Sequence, residues 1–109
     1  MRQIEANMNQ AIRSLLSGGS TNWASSNTTV TKNANNGNVT VLLHGNHIAT
    51  IANDFVAIYD GGYQSNTTKS RLNALLSEFR PNTRVFQKNY EWFISYAGRT
   101  FDFVSGSLV

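Results

Sequence analysis

The chain has 109 residues, of which 40% are apolar and 14% are charged, and its formal net charge is +3. This length is typical of one compact domain with a modest core, so residues 1–109 are predicted to form a single domain. The absence of cysteine excludes disulfide bridges and thiolate metal sites. No stretch approaches the roughly 18 apolar residues of a membrane span, and the first residues lack the apolar core of a signal peptide. We therefore expect a cytoplasmic protein that does not enter a membrane.

The first predicted element is an amphipathic helix over residues 2–17. Gly18 and Gly19 follow it, where a left-handed C-cap is expected. The helix could bind a partner or a second copy, but a stripe of this kind is more typical of a helix that covers the sheet of its own domain. The stripe has the spacing of one helical face and consists of Ile4, Met8, Ala11, Ile12, Leu15 and Leu16.

From residue 21 to residue 63 the period of the apolar residues changes to two, which predicts strands. Four segments, TTVTKN, VTVLL, HIATI and FVAIY, are separated by short polar turns. Asn36 and Gly37 both tolerate positive φ, so they favour a type I′ hairpin turn between the first two segments. FVAIY is almost continuously apolar and is expected to be buried on both faces. Gly61 and Gly62 are predicted to end this four-strand meander.

A second helix is predicted over residues 67–79, with Thr67 as its N-cap and Pro81 as the residue that stops it. Three more strands follow in TRVFQK, YEWFISYA and RTFDFV, with turns at Asn89 and at Ala97–Gly98. The tail SGSLV is expected to fray. The buried stripe of the second helix is predicted to consist of Leu72, Leu75, Leu76 and Phe79.

These elements predict an α+β fold. Its order is an N-terminal helix, a four-strand antiparallel meander, a second helix and a three-strand antiparallel meander. A sheet of this size either stays open with both helices on one face or curls into a small barrel, and the sequence does not choose between the two.

The second helix opens with cations and no acid, although its first turn carries the positive end of the helix dipole. One hypothesis is an anion site, in which Thr67, Thr68, Lys69 and Arg71 converge on one phosphate or carboxylate. The preferred alternative is simpler: Thr67 caps the helix, the two cations point into solvent, and burial of the leucines outweighs the unfavourable dipole term.

Basic residues are concentrated in the last third of the chain. Residues 65–100 hold six cations against Glu78 and Glu91, and they also hold five aromatic residues on predicted strands. Such a mixture attracts phosphates and stacks bases, although the aromatics could instead fill the core while the cations are solvated. On the first interpretation, the residues that contact nucleic acid are Arg80, Arg84, Lys88 and Arg99.

Two function classes stay open at this point. One is weak binding of nucleic acid or a nucleotide through the basic third, and the other is a protein-interaction or inhibitor module that binds a partner protein. An exposed apolar patch without cations would favour the protein partner. Nucleic-acid binding would be favoured if one exposed face collected Arg71, Arg80, Arg84 and Lys88.

Catalytic and metal-binding patterns are missing from the sequence. His44 and His47 lie at a turn, whereas the zinc-protease pattern needs two histidines one helical turn apart with a glutamate between them. Gly45 and Asn46 are better explained as turn formers. There is also no nucleophile elbow and no suitably spaced carboxylate pair. We therefore predict no enzyme activity, no cofactor and no metal.

Two stretches, VLLHGNHIATI and VAIYDGGYQSNTTKSRLNALL, resemble a family of small proteins encoded by tailed bacteriophages, including marine ones. The shared patterns are LHGN-x-IA and TTK-x-RLNALL, and the similarity covers roughly residues 23–96. Tyr63 and Ser65 stand where relatives have Trp and Thr. The resemblance implies a phage or phage-infected microbial source and an intracellular setting, so the partner of an interaction or inhibitor module would be a host or phage protein. It implies no activity, ligand or catalytic residue.

Overall fold

A computed structural model describes residues 1–109 and contains two helices and nine strands. The helices are α1 (Gln3–Leu16) and α2 (Asn66–Phe79). Neither helix has the length and hydrophobicity that are needed to span a membrane. The strands are β1 (Trp23–Ser25), β2 (Thr28–Lys32), β3 (Val39–Leu43), β4 (Asn46–Ile51), β5 (Val56–Ile58), β6 (Thr83–Lys88), β7 (Glu91–Tyr96), β8 (Arg99–Asp102) and β9 (Ser107–Leu108).

The strands form two antiparallel sheets and confirm the predicted α+β class. The larger sheet has six strands in the order β1-β2-β3-β4-β5-β9, and the smaller has three in the order β6-β7-β8. The predicted four-strand meander is β2 to β5, and the predicted three-strand meander is β6 to β8. The sheets do not close into a barrel, so the open arrangement is the observed one.

The larger sheet gains a strand at each edge that the sequence did not predict. β1 pairs with β2, and β9 pairs with β5 through Ala57 opposite Leu108 and Ile58 opposite Ser107. The prediction that the tail SGSLV frays is therefore wrong. The Val109 N–H also donates to the Val56 carbonyl at 2.8 Å, so backbone pairing with β5 holds the tail in place.

The turn between β2 and β3 differs from the predicted type I′ turn at Asn36–Gly37. Only Gly37 of that pair has a positive φ, at 75°, and its N–H donates to the Asn33 carbonyl at 2.8 Å. The Asn33 side chain also accepts from the Asn35 N–H, which stabilises a longer turn. Consecutive positive φ values occur instead at His44 and Gly45, in the tight turn between β3 and β4.

Local hydrogen bonds fix the C-terminal end of α1 and the N-terminal end of α2. After α1, the Gly19 N–H donates to the Ser14 carbonyl and Gly18 has a φ of 103°, which confirms the predicted glycine C-cap. The N-cap of α2 is Ser65 and not the predicted Thr67. Ser65 has extended backbone, and its hydroxyl accepts from the Thr68 N–H at 3.1 Å, which a residue inside the first turn cannot do.

The core lies between the helices and the two sheets. α1 packs against α2, β2 and β3, while α2 packs mainly on β6. Val56, Ala57 and Ile58 are all buried, which confirms that β5 is covered on both faces. Phe79 is only partly buried but packs against the core. The helices contribute to the core Met8, Ile12, Leu15, Leu72, Leu75 and Leu76.

Replacing Leu75 by alanine should reduce the free energy of unfolding by about 2 to 5 kcal/mol, because the side chain is fully buried and its loss leaves a cavity. Urea denaturation followed by circular dichroism measures this loss. Ser77→Ala, at an exposed position of the same helix, is the control and should change stability by less than about 0.5 kcal/mol. A comparable loss in both variants would contradict the buried stripe.

Candidate functional site

The start of α2 is occupied by contacts within the protein. The Thr68 hydroxyl lies 2.9 Å from that of Ser65, and it also donates to the Tyr63 carbonyl. The Lys69 Nζ donates to the Gln87 Oε1 at 3.0 Å and lies 5.9 Å from the centroid of the Trp92 ring. The first cation of the helix therefore extends towards the small sheet.

Arg71 is buried, with 3% of its surface exposed. Its guanidinium donates to the Glu5 Oε2 at 2.8 Å, and the same carboxylate accepts from the Ser70 hydroxyl at 2.6 Å. The remaining guanidinium nitrogens donate to the Thr28 hydroxyl at 3.0 Å and to the Asn27 Oδ1 at 3.2 Å. α1, α2 and the start of β2 therefore meet at one ion pair.

This network differs from both interpretations of the start of α2, the anion site and the alternative in which both cations point into solvent. Arg71 neither points into solvent nor lies beside Lys69, so Thr67, Thr68, Lys69 and Arg71 do not converge on one point. The acid that offsets Arg71 comes from a different helix. Glu5 and Asn9 are buried within the apolar stripe of α1, and their four-residue spacing is the sequence signal that could have identified them as inward-facing.

The four residues predicted to contact nucleic acid lie in three different environments. Arg80 donates to the backbone oxygens of Val109 at 2.9 Å and Phe79 at 2.7 Å. Arg84 and Lys88 are exposed and share one face of the small sheet, because they lie four residues apart on β6. Arg99 lies opposite Tyr96 and belongs to the other face. Of the four residues, only Arg84 and Lys88 therefore lie on the same exposed face of the small sheet.

We call the side of the small sheet that points away from the core the outer face. On the inner side, Val85 and Ile94 are opposite each other and are both buried. On the outer side, Phe86 and Phe93 are opposite each other, partly exposed and outside the core. Their ring centroids are 5.6 Å apart with an interplanar angle of 29°. The outer face consists of Arg84, Phe86, Lys88, Glu91, Phe93, Ser95, Thr100 and Asp102.

Charge on the outer face is divided between its strands. The cations Arg84 and Lys88 lie on either side of Phe86 on β6, while Glu91 and Asp102 lie on β7 and β8. None of these four groups forms an ion pair, because the protein has only two, Arg13 with Glu78 and Glu5 with Arg71. The β6 side of the face is therefore basic, although the face as a whole is neutral.

A second surface feature is a groove of about 650 Å³ between β8 and β9, called the β8–β9 groove. It exposes apolar side chains, with 54% of Tyr96, 48% of Phe101 and 70% of Leu108 accessible to solvent. Its lining residues are Asp54, Arg80, Ile94, Tyr96, Phe101, Asp102, Ser107, Leu108 and Val109. The groove is mostly apolar, and it is not free of cations.

The histidines have local contacts. His44 is exposed in the turn between β3 and β4, where its φ is 52°. The His47 Nε2 lies 2.7 Å from the Thr50 hydroxyl. The centroid of the His47 ring lies 4.1 Å from the centroid of the Tyr59 ring. No three His, Asp or Glu side chains are grouped so that they could hold a metal ion.

Comparison with known proteins identifies the family. The family model described as Kyanoviridae Gp96 protein matches residues 1–109. The chain belongs to this family. Because it is a bacteriophage protein family, the resemblance inferred from the sequence is confirmed, and the match extends over the whole chain. No curated protein and no solved structure matches the chain.

Replacing Arg71 by methionine should reduce the free energy of unfolding by about 3 to 5 kcal/mol, because Glu5 is then left as a buried charge without its partner. Urea denaturation measures the loss. Arg13→Met is the matched control: its ion pair with Glu78 is exposed, so it should lose less than about 1 kcal/mol.

The double variant Glu5→Leu, Arg71→Met should lose less stability than the sum of the two single variants, because neither charge is then buried alone. Equal losses in Arg71→Met and Arg13→Met would show that the buried pair has no special role.

Proposed function

We propose that the protein is a phage accessory protein that binds single-stranded nucleic acid weakly, without sequence preference and without catalysis. The observation that carries this proposal is the Phe86–Phe93 pair, which is partly exposed on a sheet face between Arg84 and Lys88. The binding site is the outer face.

The chemistry of the outer face suits a single strand. Aromatic rings on a sheet stack unpaired bases, and this stacking tolerates any sequence because every base has a π-face. Cations beside the rings neutralise phosphates, and the hydroxyls of Ser95 and Thr100 lie on the same face as hydrogen-bonding groups. Two neighbouring rings suit a polymer better than a mononucleotide, which supplies only one base.

The structure also limits the strength of this binding. Arg71 is paired within the core, Arg80 is bound to backbone oxygens, and Lys69 and Arg99 lie away from the outer face. Only two cations are therefore available beside the aromatic pair, and two acids on the same face oppose them. This supports weak binding with a shallow dependence on salt.

With two phosphate contacts, the affinity for an oligothymidine should fall with a log-log salt slope of about −1.4, or about sevenfold between 50 and 200 mM salt. Fluorescence anisotropy of a labelled strand measures this slope. Lys88→Gln should lower the affinity and make the slope shallower by about 0.7, whereas Arg2→Gln, the same charge change at the exposed residue before α1, should change neither. Equal effects of both variants would reject the outer face as the site.

Removing one stacking ring is an independent test. Phe93→Ala should weaken binding by about 5-fold to 150-fold, which corresponds to about 1 to 3 kcal/mol for one stacked base. Phe101→Ala removes an exposed ring from the other face and should leave the affinity unchanged. No detectable binding at 50 mM salt by the unmodified protein would reject the proposal.

A second candidate function is binding of a protein partner, which the exposed apolar side chains of the β8–β9 groove support, although Arg80 in its lining means that the patch is not free of cations. The three exposed apolar side chains of the groove, Tyr96, Phe101 and Leu108, take no part in the aromatic pair of the outer face. Binding at one surface can therefore be removed by mutation without removing binding at the other.

A further inference from the structure

The β8–β9 groove is bordered by β8 and β9, and each of these strands has one edge that pairs with no other strand. β8 is hydrogen-bonded only to β7, and β9 only to β5, so each ends its sheet. Residues 103–106 connect them directly, which keeps the two edges near each other. A free edge presents unpaired backbone N–H and C=O groups and is a template for another strand.

The strand register identifies the free backbone groups of β8. The Phe103 N–H donates to the Trp92 carbonyl at 3.1 Å, which marks a hydrogen-bonded position next to the end of β8. Because bonded and non-bonded positions alternate in an antiparallel pair, Phe101 is also bonded to β7. Thr100 and Asp102 therefore direct their N–H and C=O groups towards the free edge.

The opposite edge of the small sheet is formed by β6, and a side chain of α2 occupies part of its backbone. The Asn73 side chain of α2 donates to the Val85 carbonyl at 2.8 Å and accepts from the Val85 N–H at 2.8 Å. One amide thus occupies the backbone groups that a further strand beside β6 would use. Strand addition at the middle of β6 is therefore blocked, whereas no side chain blocks the edge of β8 in this way.

Side chains around β8 define what such a strand would carry. A residue paired with Phe101 would lie on its face, beside the exposed Phe101 and Leu108, where an apolar side chain fits. Residues paired with Thr100 and Asp102 would lie on the outer face. Asp102 lies on that face, is exposed and forms no ion pair, so a basic side chain complements this position. The cations near the edge, Arg99 on β8 and Arg80 in the groove lining, are not on the outer face, and apolar side chains suit the side of Arg99 better than basic ones.

We propose that the free edge of β8 binds an extended segment of a partner protein by strand addition, and that this segment alternates apolar and basic residues. Main-chain hydrogen bonds to Thr100 and Asp102 supply affinity, and the alternating side chains supply specificity. The length of β8, Arg99–Asp102, suits a segment of about four to six residues. This binding goes beyond the proposed nucleic-acid function and uses the edge of the sheet.

The test uses three synthetic peptides that alternate valine and lysine, with acetylated and amidated ends. One is unmodified, one carries backbone N-methyl groups on the lysines, and one carries them on the valines. In antiparallel pairing, the orientation of every other strand pair in the protein, lysines opposite Thr100 and Asp102 donate their backbone N–H groups to β8, so methylation there should weaken binding at least about tenfold. Methylation of the valines blocks only the far edge and should leave the affinity within about threefold of the unmodified peptide.

Isothermal titration measures the affinities, and amide resonances should shift at Thr100 and Asp102. Phe101→Ser should weaken binding of the unmodified peptide at least about tenfold, and Asp102→Asn should reduce its preference over an alternating valine and glutamate peptide. Tyr90→Ser removes an aromatic side chain that is 93% exposed away from the groove and should bind normally. The amide spectrum of each variant serves to check that it is folded.

Three results would overturn the inference. The first is equal binding of the two methylated peptides, which would place the peptide on the groove without strand addition. The second is no binding of the unmodified peptide at 1 mM. The third is a dimer in analytical ultracentrifugation that the peptide dissociates, since a second copy would then be the occupant. None of these results affects the oligothymidine measurement, so failure here is distinct from failure of the nucleic-acid proposal.

Discussion

The rest of the structure depends on the buried ion pair between Glu5 and Arg71. Removing two charges from water is costly, and the cost is offset only when the charges face each other and their remaining hydrogen-bonding atoms are satisfied. Ser70 and Thr28 supply part of that satisfaction. The arrangement exists only when α1, α2 and β2 hold one relative position, so it favours that packing over others with equally apolar contacts. The leucines supply the apolar burial, and the ion pair adds a geometric requirement that apolar contacts alone do not impose.

The position of the small sheet follows from the position of α2. Asn73 holds the Val85 backbone on β6, while Leu72, Leu75 and Leu76 face the core on the same helix. The inner side of the small sheet is therefore covered, and its outer face with the Phe86–Phe93 pair is left towards solvent. A core interaction and a surface that we propose to be functional are thus connected through one helix.

Local patterns in the sequence were enough to predict most elements but not their long-range partners. The periodic leucines of α2 and the apolar run of β5 report which way side chains face, and both predictions are confirmed. Ser65 was missed as the N-cap because Ser65, Thr67 and Thr68 all carry hydroxyls near the start of the helix, and only the backbone geometry distinguishes them. The pairing of Leu108 with Ala57, and of Glu5 with Arg71, depends on residues far apart in the chain, about which periodicity says nothing. The outer face could be predicted only in part, since the sequence gives the cations of the last third but not the sheet face on which each lies.

The same long-range contacts affect how the chain reaches its fold. Asn9 bonds to Ala74 across 65 positions and Glu5 to Arg71 across 66, so docking of α1 on α2 closes a long loop and carries its entropic cost. The hairpins of β2 to β5 involve short separations and form at lower entropic cost. During synthesis, the apolar stripe of α1 is made well before α2 emerges to cover it. β2 and β3 can cover part of this stripe earlier, but the side that packs on α2 stays uncovered until α2 emerges, and such transiently exposed apolar surface favours chaperone binding or aggregation.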